Sequence, residues 1–530
     1  MRQDQVKPEL WRPLLSSAAS RRQLFAYAAG VAGVVALAQV PGSANDPAPP
    51  LRANPFTLGV SSGDPRPDGI VLWTRLATEP LADDGSGGMP PEPVPVRWEI
   101  AEDDRMRRVV RKGVATARPE LAHSVHVEVK GLRAGREYWY RFMAGGETSV
   151  TGRTKTAPDP RWNTEVAFAY ASCQQWESGF YTAYRDMAAQ DLDLVGHLGD
   201  YIYELGIGAT GGVRRTQLSA AHNAPTMTLS QYRLRYALTN SDPDLQAARA
   251  AAPWFVTLDD HDVEDNWGSD LSPTGGSPEN FLRRRAAAFR AAFENQPMRP
   301  STLPTGPDMS IYQRIQYGGL ATFHVLDERQ FRSPADINAR LDPARTMLGA
   351  QQEAWLLDGL GRSRSTWNIM ANQVMMFQLD RLTDPGLQQL NPDTWDGYAA
   401  GRDRLWAGIA ERGVSNPVVI TGDAHVNCAA ELKADYANPD APPVGVEFLG
   451  TSITSGGDGS DMTAGGTEWL ASNPHLKFFN SQRGYIRCRV AKDTMRADYV
   501  VVDKVTTPGG TASVRRSFVV ESGRPALQDA

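Results

Sequence analysis

Cysteine is scarce, an excess of positive charge is missing, and no apolar run is long enough for a bilayer. Three cysteines in 530 residues, Cys173, Cys428 and Cys488, cannot form a disulfide framework. Cys428 and Cys488 read as buried packing residues. Cys173 stands apart because it closes a strand among other donor side chains. The net charge of −6 and a pI near 5.8 exclude a general polyanion-binding surface, so no nucleic-acid interface is expected. A small anionic substrate met by a local cationic pocket stays open. The weakly apolar run Ala26 to Val40 is rich in Ala and Gly and short for a membrane span, so no stable anchor is expected. Repeats and heptads are absent too, which removes solenoids and coiled coils. What remains is 41% hydrophobic and 22% charged residues, enough for a large core, in a chain longer than one typical domain.

The amino terminus is read apart from the fold. Ser20-Arg21-Arg22-Gln23-Leu24-Phe25 is a twin-arginine start, and small residues after it offer cleavage behind Ala38 or Ala44. Residues 1–44 are therefore expected to be a removable export signal. The export machinery would be a partner, and the mature chain would be periplasmic or extracellular. Residues 45–157 read as an all-β unit: Ile70–Thr74, Val94–Ile100, Ser124–Val129 and Glu137–Phe142 alternate in polarity between turns rich in Gly, Pro and Asp. The stretch Gly131 to Tyr140 resembles the end of a fibronectin III-like sandwich. After the linker Ala157-Pro158-Asp159-Pro160, residues 158–522 alternate strands with helical patterns, the mark of an α/β unit with a largely parallel sheet. Helices are expected over Gly179–Gln190, Gln231–Leu238, Pro278–Glu294 and Gly349–Leu360. Arg283, Arg284 and Arg285 read as a solvated helix face.

Five short apolar runs each end in a side chain able to bind a metal or move a proton. Phe168 to Ser172 ends in Cys173. Leu194 to Leu198 ends in Gly199-Asp200, with Tyr203 close behind. Trp254 to Leu258 ends in Asp259-Asp260-His261-Asp262, Trp367 to Ala371 in Asn372, and Val418 to Thr421 in Gly422-Asp423-Ala424-His425. Open α/β sheets place ligands at the carboxyl ends of their strands. If these strands lie parallel in one sheet, the donors converge on one rim, and thiolate, phenolate, carboxylate, imidazole and amide oxygen together suit more than one metal ion.

Ser172-Cys173-Gln174, His197 to Glu204, Leu258 to Asp262, Asn372 to Met375, Asp393 to Tyr398, Thr421 to His425 and Phe448 to Ser455 together resemble the alkaline phosphatase D (PhoD) family. The resemblance spans nearly the whole mature chain. It implies a metallophosphoesterase-type αββα sandwich behind a small β-domain, and a secreted phosphatase and phosphodiesterase that uses Fe³⁺ with Ca²⁺. Carried over by motif, Cys173, Asp200, Tyr203 and His425 would hold iron. Asp200 would bridge to calcium held by Asp260, Asp423 and Asn372. The chain departs from the family pattern where Glu328 interrupts the motif around Asp327 and Arg329.

Beside these ligands, His261 is read as general acid or transition-state stabiliser. Asp259 and Asp262 are read as a surrounding layer that orients ligands, with His197 pointing into the core or into that layer, and Arg233, Arg235 and Arg329 as candidate phosphate clamps or, alternatively, surface or structural residues. Small phosphate esters are the expected substrates. Two other readings compete: a phospholipase D-like lipid phosphodiesterase, and an exported phosphate- or metal-binding protein without turnover.

Overall fold

The computed structural model describes residues 51–530 apart from Pro385 and Pro439. The twin-arginine segment, Ala38 and Ala44 lie outside the described residues. No helix among the described residues is long and apolar enough to cross a membrane.

The alternating segments before residue 157 become β1 (Val60–Arg66), β2 (Gly69–Arg75), β3 (Val94–Ala101), β4 (Val109–Ala117), β5 (Ser124–Lys130), β6 (Glu137–Ala144), β7 (Glu147–Thr148) and β8 (Gly152–Lys155). β1, β2 and β5 face the sheet β4-β3-β6-β7, and Ile70, Leu72, Val125 and Val127 pack on Val96, Ile100, Tyr140 and Phe142. β1, β4, β7 and β8 were not anticipated; the residues of β4 are exposed or half-buried up to Ala117, and it is held by pairing with β3. The sandwich is present, but it does not stand alone.

β9 (Val166–Ala171), β10 (Leu194–His197) and β11 (Pro253–Val256) run parallel and are almost wholly buried. Phe168 and Tyr170 turn to one side of β9, Ala169 and Ala171 to the other, so the strand serves two cores at once. The second sheet is formed by β12 (Gln313–Tyr317), β13 (Ala321–Val325), β14 (Trp367–Ala371), β15 (Pro417–Thr421), β16 (Asn427–Lys433), β17 (Pro443–Leu449) and β18 (Leu476–Asn480), in the order β12-β13-β14-β15-β17-β16-β18. β19 (Gly484–Val490), β20 (Thr494–Val502), β21 (Ala512–Glu521) and β22 (Arg524–Asp529) return to the first sheet, where β19 pairs antiparallel with β9. β22 thus runs beyond the limit at residue 522 expected from the sequence.

The first sheet has the order β22-β21-β20-β19-β9-β10-β11-β1-β2-β5. Its β1 pairs parallel with β11, Ser62 beside Pro253 and Gly63 beside Trp254. One sheet of the amino-terminal sandwich is therefore a continuation of the catalytic sheet, and the boundary at 157 is one of sequence only. Alternation reveals a strand, not its neighbour across nearly two hundred residues.

The two large sheets stack face to face through Phe168, Tyr170, Phe255, Phe323, Ile369, Val418 and Phe448. Against the outer face of the first lie α1 (Thr182–Ala188), α2 (Leu229–Asn240), α3 (Pro243–Ala251) and α4 (Pro278–Asn295). α5 (Gly349–Arg362) and α6 (Ala399–Glu411) cover the second. The layering is αββα. α2 begins in a capping box of Thr228 and Gln231, and α4 in a Ser277 cap followed by proline. Arg284 and Arg285 on α4 correct the expected solvated face: both are buried, paired with Glu264 and Asp308, and only Arg283 faces solvent.

Candidate metal centre

The donor-bearing strands come from both sheets rather than one. β9, β10 and β11 of the first deliver Cys173, Asp200, Asp259 and Asp260, while β14 and β15 of the second deliver Asn372, Asp423 and His425. The rims meet through a bridge between Ser172 and Ser452 and a hydrogen bond from Ile453 N to the Ser172 carbonyl at 3.0 Å. Four of these residues close their strands in the left-handed region: Cys173 at φ 58°, Asp200 at 55°, Asp423 at 65° and His425 at 56°. Non-glycine residues adopt such φ at a cost and cluster where function requires it. Gly199 is needed beside them. Its φ is +106°, and an added Cβ would lie 2.3 Å from the Cβ of Asp259.

One donor atom each from Cys173, Asp200 and His425 lies within 4.8 Å of the others, and the same holds for Asp200, Asp259 and Asp260. Asp200 belongs to both groups. A third group, Asp260, His261 and Asp265, adjoins them. The Tyr203 hydroxyl donates to Asp200 Oδ2 at 2.9 Å, lies 3.1 Å from His425 Nε2 and accepts from Ser455 Oγ at 2.7 Å. Asn372 is fully buried at the end of β14, and neither atom of its amide has a hydrogen-bond partner. Asp259 Oδ2 is likewise buried and unpartnered. Unpaired buried donors and acceptors call for an explanation, and a bound ion is one. The residues present fit a pair of metal ions.

Around them sits a layer of positioning groups. Asp262 accepts from the backbone N–H of Asp200, Tyr201, Ile202 and Asp259 at 2.9, 3.1, 3.3 and 3.0 Å, and so ties the two donor turns together. His261 Nδ1 lies 2.8 Å from Glu204 Oε2, the His261 backbone N–H donates to Asp200 Oδ1 at 3.2 Å, and the imidazole ring stacks on Tyr203 at 4.2 Å. Glu328 accepts from the N–H groups of Gln373 and Val374 and from Trp395 Nε1, fixing the turn that follows Asn372. The residue that interrupts the family motif therefore has a partner set of its own.

Arg233 and Arg235 sit away from a clamping position, Arg329 lies inside the site, and His197 lies in the core. Arg233 pairs with Glu294 and reaches the Glu120 carbonyl, bracing α2 against α4 away from the donors. Arg235 is buried and donates to the carbonyls of Tyr203 and Leu205, so it braces the Tyr203 segment and offers no clamp. Arg329 is 1% exposed and lies among carboxylates: Asp259 at 2.5 Å, Asp393 at 3.0 Å, Asp260 at 3.2 Å and Asp423 at 3.6 Å. It balances charge inside the site. His197 is packed between Tyr201 and Trp254, neither ring nitrogen has a partner, and it is a core residue. Glu204, Ser455 and Asp393 were missed as members of the site. Each lies within a quoted motif, but only contact in space shows what it touches.

Charge is crowded here. Burial pushes the Asp200 carboxyl and the Cys173 thiol well above their usual ranges, and it does the same to Tyr203 and Asp423. Burial raises Asp259 to about 7 against the pull of Arg329. On Asp260 burial is outweighed by Arg329 and His261, and its carboxyl is held below the usual range. Burial alone would lower His261, but Asp200, Glu204 and Asp260 push it up to about 11. Burial lowers His425 to about 4, leaving a neutral imidazole able to ligate. These acids cannot all ionise without further positive charge beside them.

Comparison with known proteins gives the family. The family model described as PhoD-like phosphatase matches residues 168–499, and its N-terminal domain model matches residues 42–158. Alkaline phosphatase D of Bacillus subtilis (strain 168) is 46% identical over 527 residues, covering 96% of this chain and 88% of that protein. The solved structure of PhoD matches with a TM-score of 0.87 at 46% identity, over 91% of this chain and 93% of the other. Fold and site define a hydrolase of phosphoric esters. The chain belongs to the PhoD-like phosphatase family.

Proposed function

We propose that the protein is a secreted phosphoesterase that hydrolyses phosphate monoesters and diesters at an Fe³⁺/Ca²⁺ centre. The observation that carries this reading is Asp200, shared between a thiolate–imidazole group and a carboxylate group of donors. Cys173, Tyr203 and Asp200 can supply strong anionic donors that favour ferric iron, with His425 as a neutral imidazole beside them. Asp260, Asp423, Asn372 and Asp200 supply the oxygens that calcium takes. When bound, such a metal pair neutralises the charge of the ester and lowers the pKa of a bound water to about 7.

The chain's own residues do the rest. Asp262 holds Asp200 and Asp259 in register through its four N–H contacts. Glu204 holds the Nδ1 side of His261, which leaves Nε2 to carry a proton to the leaving oxygen. A binding protein without turnover has no use for a proton donor oriented in this way, which favours the enzyme.

Asp200→Ala in the mature protein is expected to lower hydrolysis of p-nitrophenyl phosphate by at least ~10³-fold, and iron and calcium are expected by elemental analysis of the unmutated protein. Full activity in the variant, or zinc alone in an active protein, would sink this assignment. Location is tested separately. Replacing Arg21 and Arg22 by lysine is expected to retain the precursor inside the cell, and unchanged export would refute the twin-arginine route.

A further inference from the structure

A cavity of about 520 Å³ opens beside the metal centre between the segments 204–227 and 264–284. We propose that it is the leaving-group subsite, and that it selects phosphate esters of neutral or cationic alcohols over those of anionic ones. The proposal rests on the phosphoesterase reading and deepens it.

Position comes first. The cavity and the metal centre share a wall. Glu204 lines the cavity and lies 2.8 Å from His261 Nδ1, and Asp265 lines it with Oδ1 3.8 Å from His261 Nε2. Asn266 lines it and donates its N–H to Asp260 Oδ2 at 2.7 Å. An alcohol that takes its proton from His261 Nε2 departs on that side and meets this cavity.

Charge comes second. The lining holds three carboxylates, Glu204, Glu264 and Asp265, against the single guanidinium of Arg284. That guanidinium is already spent: it pairs with Glu264 at 2.9 Å and donates to the Thr226 carbonyl and the Tyr232 hydroxyl, each at 3.0 Å. Asp265 stays 59% exposed at the mouth with His261 as its nearest cation. With Arg284 paired to Glu264 and His261 to Glu204, a leaving group bearing a carboxylate or second phosphate meets the exposed carboxylate of Asp265 and is repelled. An ammonium or hydroxyl group meets acceptors.

Surface chemistry comes third. Leu205 and Met227 are 44% and 54% exposed, and with Phe281 they give the cavity an apolar side for the body of the alcohol.

The test uses the metal-loaded mature enzyme and four monoesters: p-nitrophenyl phosphate, propyl phosphate, phosphoethanolamine and phosphoglycolate. Phosphoglycolate is expected to fall below propyl phosphate and phosphoethanolamine in kcat/KM by at least about tenfold. Met227→Lys adds a cation to an exposed rim and is expected to raise the ratio of kcat/KM for phosphoglycolate to that for propyl phosphate about fivefold. Met227→Trp fills the cavity instead and is expected to lower p-nitrophenyl phosphate more than propyl phosphate. Equal rates on all four esters, or unchanged ratios between the esters in both variants, overturn the subsite and leave the phosphoesterase reading intact. Failure to hydrolyse any of the four with metals bound overturns both.

Discussion

The hydrogen bond between Glu204 and His261 decides which nitrogen of the imidazole faces the substrate. Glu204 Oε1 accepts from the Asp265 N–H at 2.9 Å while Oε2 takes the Nδ1 side of His261, so the carboxylate is fixed at both oxygens. Glu204→Gln keeps the shape and removes the charge. Loss of an orienting partner of this kind commonly costs about 10–100-fold in activity, and that drop is expected in kcat/KM. The sign of the pH effect follows as well. Glu204 is among the groups that raise His261, so its neutralisation lowers that pKa, and the alkaline limb of the pH–rate profile is expected to move to lower pH. A Glu204→Gln profile that coincides with the unmutated one would show that His261 is not the proton donor. Asp200 and Asp423 were legible at this scale, since each follows an apolar run and a glycine. For His197 the motif left core and surrounding layer open, and its ring is held in the core by Trp254 from a strand some sixty residues away.

At the level of elements, β13 and α5 show how buried neutral groups link stability to pH. His324 on β13 is fully buried, lies edge-on to Trp355 of α5 with ring centroids 6.4 Å apart, and has only a 3.5 Å contact to Asn368 Oδ1. Burial lowers it from 6.5 to about 4, with Arg314 acting in the same direction. The folded state therefore binds this proton less readily than the unfolded one. Stability from this group is present above pH 6.5 and lost as pH falls towards 4, by an amount on the order of 3 kcal/mol. Denaturant unfolding between pH 7 and pH 4 is expected to fall more steeply for the unmutated protein than for His324→Gln, and parallel curves would refute it. The four helices expected from the sequence formed close to their expected bounds because capping and apolar periodicity are local signals. β4 was missed because pairing with β3, rather than an apolar face, holds it.

For the whole molecule, the amino-terminal β-strands act as part of the catalytic sheet. Besides the pairing of β1 with β11, Trp73 donates to the Glu294 carbonyl at 3.1 Å, Arg75 donates to Asn295 Oδ1 at 3.1 Å, and His126 stacks on Phe293 at 4.2 Å. A chain restricted to residues 158–530 would leave β11 as an unpaired edge beside an uncovered apolar surface of α4. Such an edge templates aggregation. That fragment is expected to be insoluble on expression, or inactive if recovered. A soluble fragment with full activity on p-nitrophenyl phosphate would show that the junction is dispensable.

The sequence by itself determined the donor types, their place at strand ends, the alternation of strands and helices, and the family, because each is written in a few consecutive residues. Only the tertiary structure decided that the donors come from two facing sheets, that Arg329 stands among the carboxylates while Arg233 and Arg235 brace helices and loops, and that the β-sandwich is continuous with the catalytic sheet. Pairing partners, charge neighbours and cavities are set by segments far apart in the chain, and no local pattern encodes which distant segment arrives.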